Sequence, residues 1–167
     1  KYFKRSNRSL APIFSDCVTF SFVEKGKSPL SLYDCGSFYQ YKNDLRYQLE
    51  NNELYMNGPG LVSFVKSKVV PSIKTLLGKV PSNFKFDLCL PHQGSKLIIE
   101  TFRDSLNLPS EVCPFTAGDI GNTNSSSIPI SLKKVLFEKK QAKPLNCLLS
   151  GFGVGLSYCN LILQLED

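Results

Sequence analysis

The chain has 167 residues, of which 42% are hydrophobic and 20% are charged, and it carries a formal net charge of +6. This length and composition are typical of a single folded domain with its own core. The longest apolar runs are far shorter than the roughly 20 residues that cross a bilayer, so no membrane-spanning helix is predicted. Residue 1 is not methionine and no apolar signal core follows it, so we expect a trimmed chain.

The lysines are scattered, with four in residues 66–79 and five in residues 133–143. Solvated helix faces are the simpler interpretation, and a docking face for an acidic partner or a phosphate is the alternative. Nucleic acid is disfavoured as a partner, because the sequence has no basic motif with interleaved aromatic residues and no zinc-finger spacing. The lysines concerned are Lys66, Lys68, Lys74, Lys79, Lys133, Lys134, Lys139, Lys140 and Lys143.

Six cysteines are present, and no two of them form a C-x-x-C motif. Cys89, Cys147 and Cys159 lie in apolar runs, where cysteine is a small buried hydrophobic residue. With one histidine in the chain, a zinc site is not predicted. This usage favours a protein of the reducing cytoplasm over a disulfide-stabilised scaffold.

In chain order, the first predicted elements are two strands and a long helix. Alternating apolar residues in IFSDCVTFSFVEKG (13–26) predict a strand, and LSLYDCG (30–36) predicts a second. Residues 36–53 are rich in Tyr, Asn and Gln and are predicted to form a loop. Residues 61–77 carry apolar side chains at three- and four-residue steps, which predicts a helix that Pro71 kinks or restarts.

Strands and helices alternate regularly after Gly78. FDLCL (86–90), SEVCPF (110–115), LNCLLS (145–150) and LSYCNLILQLE (156–166) predict strands, the last two joined by a glycine-rich turn. Residues 96–106 and 124–137 predict helices, the second opened by a Ser/Asn-rich turn suited to N-capping. This order predicts an α/β fold with a mixed or parallel sheet covered by helices.

His92 is the only histidine in the chain and is therefore the obvious candidate for acid/base chemistry at neutral pH. It follows an apolar strand and precedes a helix, and the sites of open α/β sheets form beyond the carboxyl ends of strands. The positive end of that helix disfavours imidazolium, so we expect a neutral ring able to donate one hydrogen bond to an oxyanion. A structural histidine that caps the helix is the alternative.

Asn122 and a glycine-rich turn are two further candidates. Asn122 lies between a predicted strand and a helix, and its carboxamide is an uncharged donor suited to a thioester carbonyl. Helix capping or a plain turn would also explain this asparagine. Gly151, Gly153 and Gly155 would let the backbone approach a ligand, and a β-hairpin turn explains them adequately too.

The strings PHQGS, GNTNSSSIP and GFGVGLSY resemble, in order and spacing, motifs of the C-terminal half of β-ketoacyl-ACP synthase III, a thiolase-fold condensing enzyme. LYMNGPGLVSFV and RSLAPIFSDCVTF resemble upstream parts of that half. The resemblance implies that residues 1–167 form an α/β, thiolase-like half-domain with a mixed five-stranded sheet covered by helices. It also implies decarboxylative condensation of acyl-CoA with malonyl-ACP in fatty-acid or related acyl-chain biosynthesis.

The resemblance assigns roles to seven positions of this chain. His92 and Asn122 would hold the malonyl thioester carbonyl and stabilise the enolate, and the backbone N–H of Val154 would be an oxyanion-hole donor. Phe152 would shape the acyl pocket. The channel for the phosphopantetheine arm would be lined by Gly58, Gly94 and Ser95.

The resemblance implies no metal and no redox cofactor, and its partners would be acyl carrier protein, the N-terminal half of the same enzyme and a second copy in a homodimer. The family's nucleophilic cysteine belongs to that N-terminal half, which no segment here resembles. None of the six cysteines has a helix N-terminus or a cationic neighbour to activate it. Gly94 and Ser95 replace an alanine and an asparagine of the family motif. Two alternatives stay open: a specialised non-decarboxylating acyltransferase of the same fold, and an inactive partner-binding half.

Overall fold

A computed structural model of the chain describes residues 13–22, 30–50, 52–139 and 144–166. Lys140, Lys143 and the first part of the RSLAPIFSDCVTF segment lie outside these ranges. The described strands are β1 (Ser31–Ser37), β2 (Leu45–Gln48), β3 (Glu53–Met56), β4 (Leu88–Pro91), β5 (Leu145–Gly153) and β6 (Ser157–Leu165). The described helices are α1 (Gly58–Phe64), a π-helical turn (Val65–Val69), α2 (Val70–Leu77), α3 (Lys96–Leu106) and α4 (Ser127–Lys139), with 3₁₀ turns at Tyr39–Tyr41 and Asn124–Ser126.

Four strands form the main sheet, in the order β1-β6-β5-β4. β4 and β5 are parallel, whereas the other two pairs are antiparallel. β2 and β3 form a separate two-stranded sheet; β2 lies inside the segment that was predicted as a loop, and β3 begins at the last residue of that segment, Glu53. The α/β class and the mixed sheet are therefore confirmed, but within the described residues the main sheet has four strands where five were predicted.

Two predicted strands are wrong over their described residues. Residues 110–113 form turns and residues 114 and 115 belong to no regular element, because Pro109 precedes the segment, Pro114 lies inside it and proline has no N–H to offer a ladder. One bond, from the Cys89 N–H to the Val112 carbonyl at 2.7 Å, holds this segment beside β4. Residues 13–22 run extended and make one isolated bridge, between Phe14 and Asn122; residues 23–26 lie outside the described ranges.

The long helix predicted over 61–77 is present but interrupted. A π-helical turn at Val65–Val69 separates α1 from α2 and ends two residues before Pro71, which agrees with the expected kink. Pro71 has no N–H and cannot continue the bonding pattern, so backbone carbonyls of the preceding turn need other donors. Within the described ranges, no helix is long and apolar enough to cross a membrane.

Apolar cores cover both faces of the sheet. Successive side chains of a strand point to opposite faces. Leu88 and Leu90 of β4 accordingly pack with Val135 of α4, whereas Cys89 joins the larger core with Phe102 of α3 and residues of α1 and α2. Helices therefore cover both sides of the sheet, as the sequence predicted.

A buried polar network joins α2 to three strands. The amide nitrogen of Asn160 in β6 donates to the Val69 carbonyl (3.3 Å) and to Ser72 Oγ (3.0 Å), and its oxygen accepts from Ser150 Oγ (2.6 Å). Ser72 in turn donates to the carboxylate of Asp34. Asn160 thus satisfies a carbonyl of the π-helical turn, which connects the kink to the sheet.

One cysteine pair departs from expectation. Cys35 and Cys159 lie opposite each other on β1 and β6, are both exposed, and form a disulfide. Cys17, Cys89, Cys113 and Cys147 are free. The sequence did not predict this pair, whose members are 124 residues apart and could not be matched from spacing, and Cys159 is exposed although its apolar run predicted burial.

The polar network predicts a large effect for Asn160→Leu. The apolar side chain has a similar size but would leave the Ser150 hydroxyl, the Ser72 hydroxyl and the Val69 carbonyl without this partner. We expect the free energy of unfolding to fall by about 2–4 kcal/mol, since each unsatisfied buried polar group costs roughly 1–3 kcal/mol. Urea titration measures it. Ser157→Ala is the matched control on the same strand, because Ser157 makes an exposed bond to Ser37 and should lose less than about 0.5 kcal/mol. Equal losses in the two variants would contradict this account.

Candidate active site at the carboxyl ends of β4 and β5

His92 lies at the carboxyl end of β4, as the sequence predicted. Its backbone N–H donates to the Ser150 carbonyl of β5 at 2.8 Å, which extends the parallel pairing by one residue beyond Pro91. The cap of the following helix α3 is Ser95, whose Oγ accepts from the Ile98 N–H at 3.4 Å. His92 is therefore not the capping residue, and that alternative is excluded.

Two aromatic rings and one hydroxyl fix the imidazole of His92. Its Nδ1 lies 2.7 Å from Ser127 Oγ at the start of α4. The edge of the ring meets Phe152 of β5, with centroids 5.5 Å apart and planes at 83°. Phe152 is itself stacked on Phe102 of α3 at 5.9 Å. The ring is thus held from β5 and α4, and Phe102 of α3 supports Phe152 from behind.

Burial keeps this imidazole neutral. Removal from water lowers the pKa of His92 from its usual 6.5 to about 4, and a hydrogen bond of the ring to the Asn124 backbone carbonyl opposes the shift. At pH 7 the ring is uncharged and can donate from one nitrogen only. The sequence argument expected a neutral ring because of the adjacent helix N-terminus; the neutrality is correct, but desolvation is its main cause.

Asn122 is buried in a turn that fixes its carboxamide. Its side-chain oxygen accepts from the Asn124 N–H at 2.9 Å, while its backbone exchanges hydrogen bonds with Ile13 (2.7 Å) and Ser15 (2.9 Å). The side-chain oxygen of Asn122 therefore stabilises the turn, as that alternative predicted. Because the oxygen is occupied in this way, the NH₂ group is the part of the side chain oriented as a donor. Gly121 adopts φ +72°, which favours glycine at that position.

A cleft of about 500 Å³ lies beside the segment that follows His92 and the turn that contains Asn122. A methyl group placed on Gly94 would sit 3.5 Å from Nε2 of His92, so the Nε2 edge of the ring faces a residue of the cleft wall. The wall is formed by residues 13–15, 93–95, 115 and 117–122, which include Gly94, Ser95 and Asn122.

The remaining predicted site residues do not all lie near His92. Phe152 contacts His92 directly, as described above. Among the described residues, Gly58, Val154, Phe152 and His92 itself do not line this cleft, although His92 lies beside Gly94 in its wall. Gly58 begins α1 behind the Asn57 cap, and the Val154 side chain is largely exposed in the β5–β6 turn.

Sequence reasoning missed the buried polar residues around His92. Gln93 is 1% exposed; its amide nitrogen donates to the Pro91 carbonyl at 3.0 Å, and its oxygen accepts from the Thr116 N–H at 2.9 Å. Ser127 and Ser131 continue the same set of bonds on α4. Their positions inside PHQGS and just beyond GNTNSSSIP were the available indication, but polar residues at turns usually read as solvent-exposed.

Part of the chain matches a known protein family. Residues 83–165 match the family described as 3-oxoacyl-[acyl-carrier-protein (ACP)] synthase III C terminal. The chain belongs to this family, in its C-terminal half. Its fold is correspondingly the thiolase-like α/β arrangement.

Individual members of the family are similar over much of the chain. The β-ketoacyl-ACP synthase III of Listeria innocua is 37% identical over 116 residues, 69% of this chain and 37% of that protein. The enzyme of Staphylococcus saprophyticus is 29% identical over 163 residues, 95% of this chain and 52% of that protein. The crystal structure of 3-oxoacyl-ACP synthase III from Aquifex aeolicus superposes with a TM-score of 0.81 at 25% identity, over 95% of this chain and 52% of that one. The chain therefore spans about half, or less, of the length of these relatives.

The single histidine allows the lowered pKa to be measured directly. In ¹⁵N-histidine-labelled protein, we expect the His92 ring to titrate at about pH 4 rather than near 6.5. Below pH 6.5 the unfolded chain binds a proton that the folded protein refuses, so stability should fall as pH drops from 6.5 towards 4 and should be free of this loss above 6.5. The loss approaches about 3 kcal/mol at 1.36 kcal/mol per pKa unit.

His92→Gln is the control for this titration, because glutamine does not ionise. The difference in unfolding free energy between the two proteins should therefore change over pH 6.5–4 and stay constant above. An NMR midpoint near 6.5 would show that the ring is solvated, contrary to the structure.

Proposed function

We propose that this chain is the C-terminal domain of a 3-oxoacyl-ACP synthase III-like acyltransferase, which condenses acyl-CoA with malonyl-ACP in fatty-acid or related acyl-chain biosynthesis. One observation carries the proposal: in a member of this family, a neutral imidazole at the carboxyl end of a parallel strand lies beside Gly94, in the wall of a cleft that Asn122 also lines. Two uncharged donors at such a position suit a carbonyl oxygen that becomes negative during reaction.

His92 and Asn122 would act on the malonyl donor. Both would donate hydrogen bonds to its thioester carbonyl oxygen. When the bond to the carboxylate breaks and carbon dioxide leaves, the electron pair forms an enolate whose negative oxygen these donors stabilise. A neutral His92 donates without adding a positive charge that would hold the departing carboxylate.

The acyl acceptor side would come from the other half of the enzyme. A cysteine thiolate there would attack the acyl-CoA thioester and release coenzyme A. The malonyl-derived carbon would then attack the acyl-enzyme carbonyl, expelling the thiolate and giving 3-oxoacyl-ACP. The backbone N–H of Val154 would donate to that carbonyl oxygen, and Phe152 would border the acyl group. No metal or redox cofactor enters these steps.

The substrate would enter on a phosphopantetheine arm. Gly94 and Ser95 lie in the wall of the cleft beside His92, which supports their assignment to the channel. Gly58 is proposed for the same channel on the resemblance of its motif alone. The partners in this proposal are acyl carrier protein, the N-terminal half of the enzyme and a second copy of the whole protein.

The 167-residue chain is expected to lack condensing activity by itself, because three of its four free cysteines are buried and the fourth, Cys17, belongs to no helix or strand. Cys89 and Cys147 are buried, and burial raises the pKa of Cys147 to about 12. A hydrogen bond with Cys89 and the charge of Arg103 lower the pKa of Cys113, but Cys113 is fully buried. Mass spectrometry after incubation with acyl-CoA should show no acyl adduct. An adduct on one of these cysteines, followed by product formation with malonyl-ACP, would overturn the expectation.

In the complete enzyme, His92→Ala should abolish decarboxylation and condensation while sparing most of the cysteine acylation. Loss of one oxyanion donor typically slows a reaction by about 10²–10³. Asn122→Ala should cause a comparable loss, and the double variant should lose less than the product of the two because the donors act together. Rapid-quench acylation with radiolabelled acyl-CoA separates the half-reactions.

His92→Gln is the matched variant, since it keeps a neutral donor of similar reach and should lose less rate than His92→Ala. A His92→Ala enzyme that acylates poorly yet still decarboxylates malonyl-ACP would contradict the assigned roles. Acyl transfer without carbon dioxide release in the unaltered enzyme would favour a non-decarboxylating acyltransferase instead.

A further inference from the structure

Ser127, the first residue of α4, faces His92 from the opposite side of the site. The residue is 2% exposed, and its Oγ lies 2.7 Å from His92 Nδ1. The backbone N–H of Gln93 donates to the same Oγ at 3.4 Å. Among the described residues, these two groups are the hydrogen-bond partners of the Ser127 hydroxyl.

The number of hydrogens decides which way these bonds run. A serine hydroxyl has one hydrogen to donate and two lone pairs to accept with. The Gln93 N–H can only donate, so it takes a lone pair of Oγ. The hydroxyl hydrogen then finds an acceptor only in Nδ1. A neutral imidazole carries one proton, so an accepting Nδ1 leaves that proton on Nε2, which is then the nitrogen that donates to the Asn124 carbonyl. Nε2 lies 3.5 Å from a methyl group placed on Gly94 at the cleft wall.

Further buried bonds hold Ser127 in place. Ser131 Oγ donates to the Ser127 backbone carbonyl at 2.6 Å, and Thr116 Oγ1 is hydrogen-bonded to Ser131 Oγ. The Thr116 N–H donates to the side chain of Gln93 at 2.9 Å, and Gln93 is the neighbour of His92 in sequence. The bonds therefore close a ring of five residues, and Thr116, Ser131, Gln93 and Ser127 are each buried. A buried network in which the members are satisfied fixes one side-chain arrangement.

We propose that Ser127 is the positioning residue of His92: its hydroxyl donates to Nδ1 and thereby keeps the ring proton on Nε2, facing the cleft. Ser127 does not line the cleft and acts through His92 alone. The consequence for catalysis, an imidazole held as a donor to the malonyl thioester, rests on the function proposed above. The tautomer is a property of the folded protein and does not rest on it.

The test is the tautomer of His92 in ¹⁵N-histidine-labelled protein at pH 7.5. Protonated and unprotonated ring nitrogens resonate far apart, and the single histidine gives one set of signals. We expect the unaltered protein to carry its proton on Nε2, and Ser127→Ala to lose this form to a mixture or to the Nδ1-protonated ring. Ser126→Ala is the matched control and should keep the original pattern, because the adjacent, buried Ser126 bonds to Thr19 and to the Cys17 carbonyl instead.

An Nδ1-protonated ring in the unaltered protein would overturn the proposal, as would an unchanged Nε2 tautomer in folded Ser127→Ala. Ser127→Thr keeps the hydroxyl and should restore the original pattern, so this variant and the unaltered protein decide the matter if Ser127→Ala does not fold. In the complete enzyme, Ser127→Ala should lower kcat for decarboxylation about tenfold or more with KM for malonyl-ACP unchanged. A changed tautomer with an unchanged rate would support the positioning of His92 and count against the proposed function.

Discussion

The parallel pairing of β4 with β5 is the constraint on which the site depends. In this pairing Pro91 lies opposite Ser150, and the His92 N–H adds one more bond to the Ser150 carbonyl. The main chain therefore fixes the position of His92 before its side chain makes any contact. Parallel neighbours also require a crossover that returns to the start of the second strand. That crossover carries Asn122 and Ser127 past the end of β4, which explains why Ser127 contacts His92 across 35 residues of sequence and why Asn122 lines the same cleft as Gly94.

Burial of the histidine has two opposite effects. It removes the charge from the imidazole at neutral pH, which suits a donor to a developing oxyanion, and it makes the folded state less tolerant of acid. A hydrogen bond of the ring to the Asn124 carbonyl opposes the effect of desolvation, and the Ser127 hydroxyl gives Nδ1 a partner. Buried polar groups are stable only if they have partners, and the Gln93 side chain accordingly accepts from the Thr116 N–H.

The parts of the fold that could be predicted are those governed by local pattern. Helix α3 begins and ends where the apolar spacing placed it, and the structure adds the Ser95 cap. The kink near Pro71 follows from a missing N–H. Residues 110–115 were predicted as a strand because their apolar content outweighed Pro109 before them and Pro114 within them. β2 was missed because LRYQ lacks an apolar alternation. The disulfide between Cys35 and Cys159 depends on strand register, which no local pattern reveals.

The candidate site, like the fold, could be predicted from the sequence only in part. His92, Asn122 and Gly94 could be predicted because their motifs and order resemble those of a known family, and the structure brings their segments to one cleft. The roles of these residues remain proposals. Ser127 was not predicted, because its role depends on the direction of a hydrogen bond across 35 residues of sequence.

Several large apolar side chains stand uncovered on this chain, in a molecule with a net charge of +6. Val18, Phe20 and Phe22 form one such group, and Phe137 of α4 is another exposed aromatic residue. Mutual repulsion between like-charged molecules keeps such surfaces apart at low ionic strength, but its range shrinks to about 10 Å in 0.1 M salt. Adding salt should therefore promote self-association, because it removes the electrostatic barrier to contact between the exposed phenylalanines.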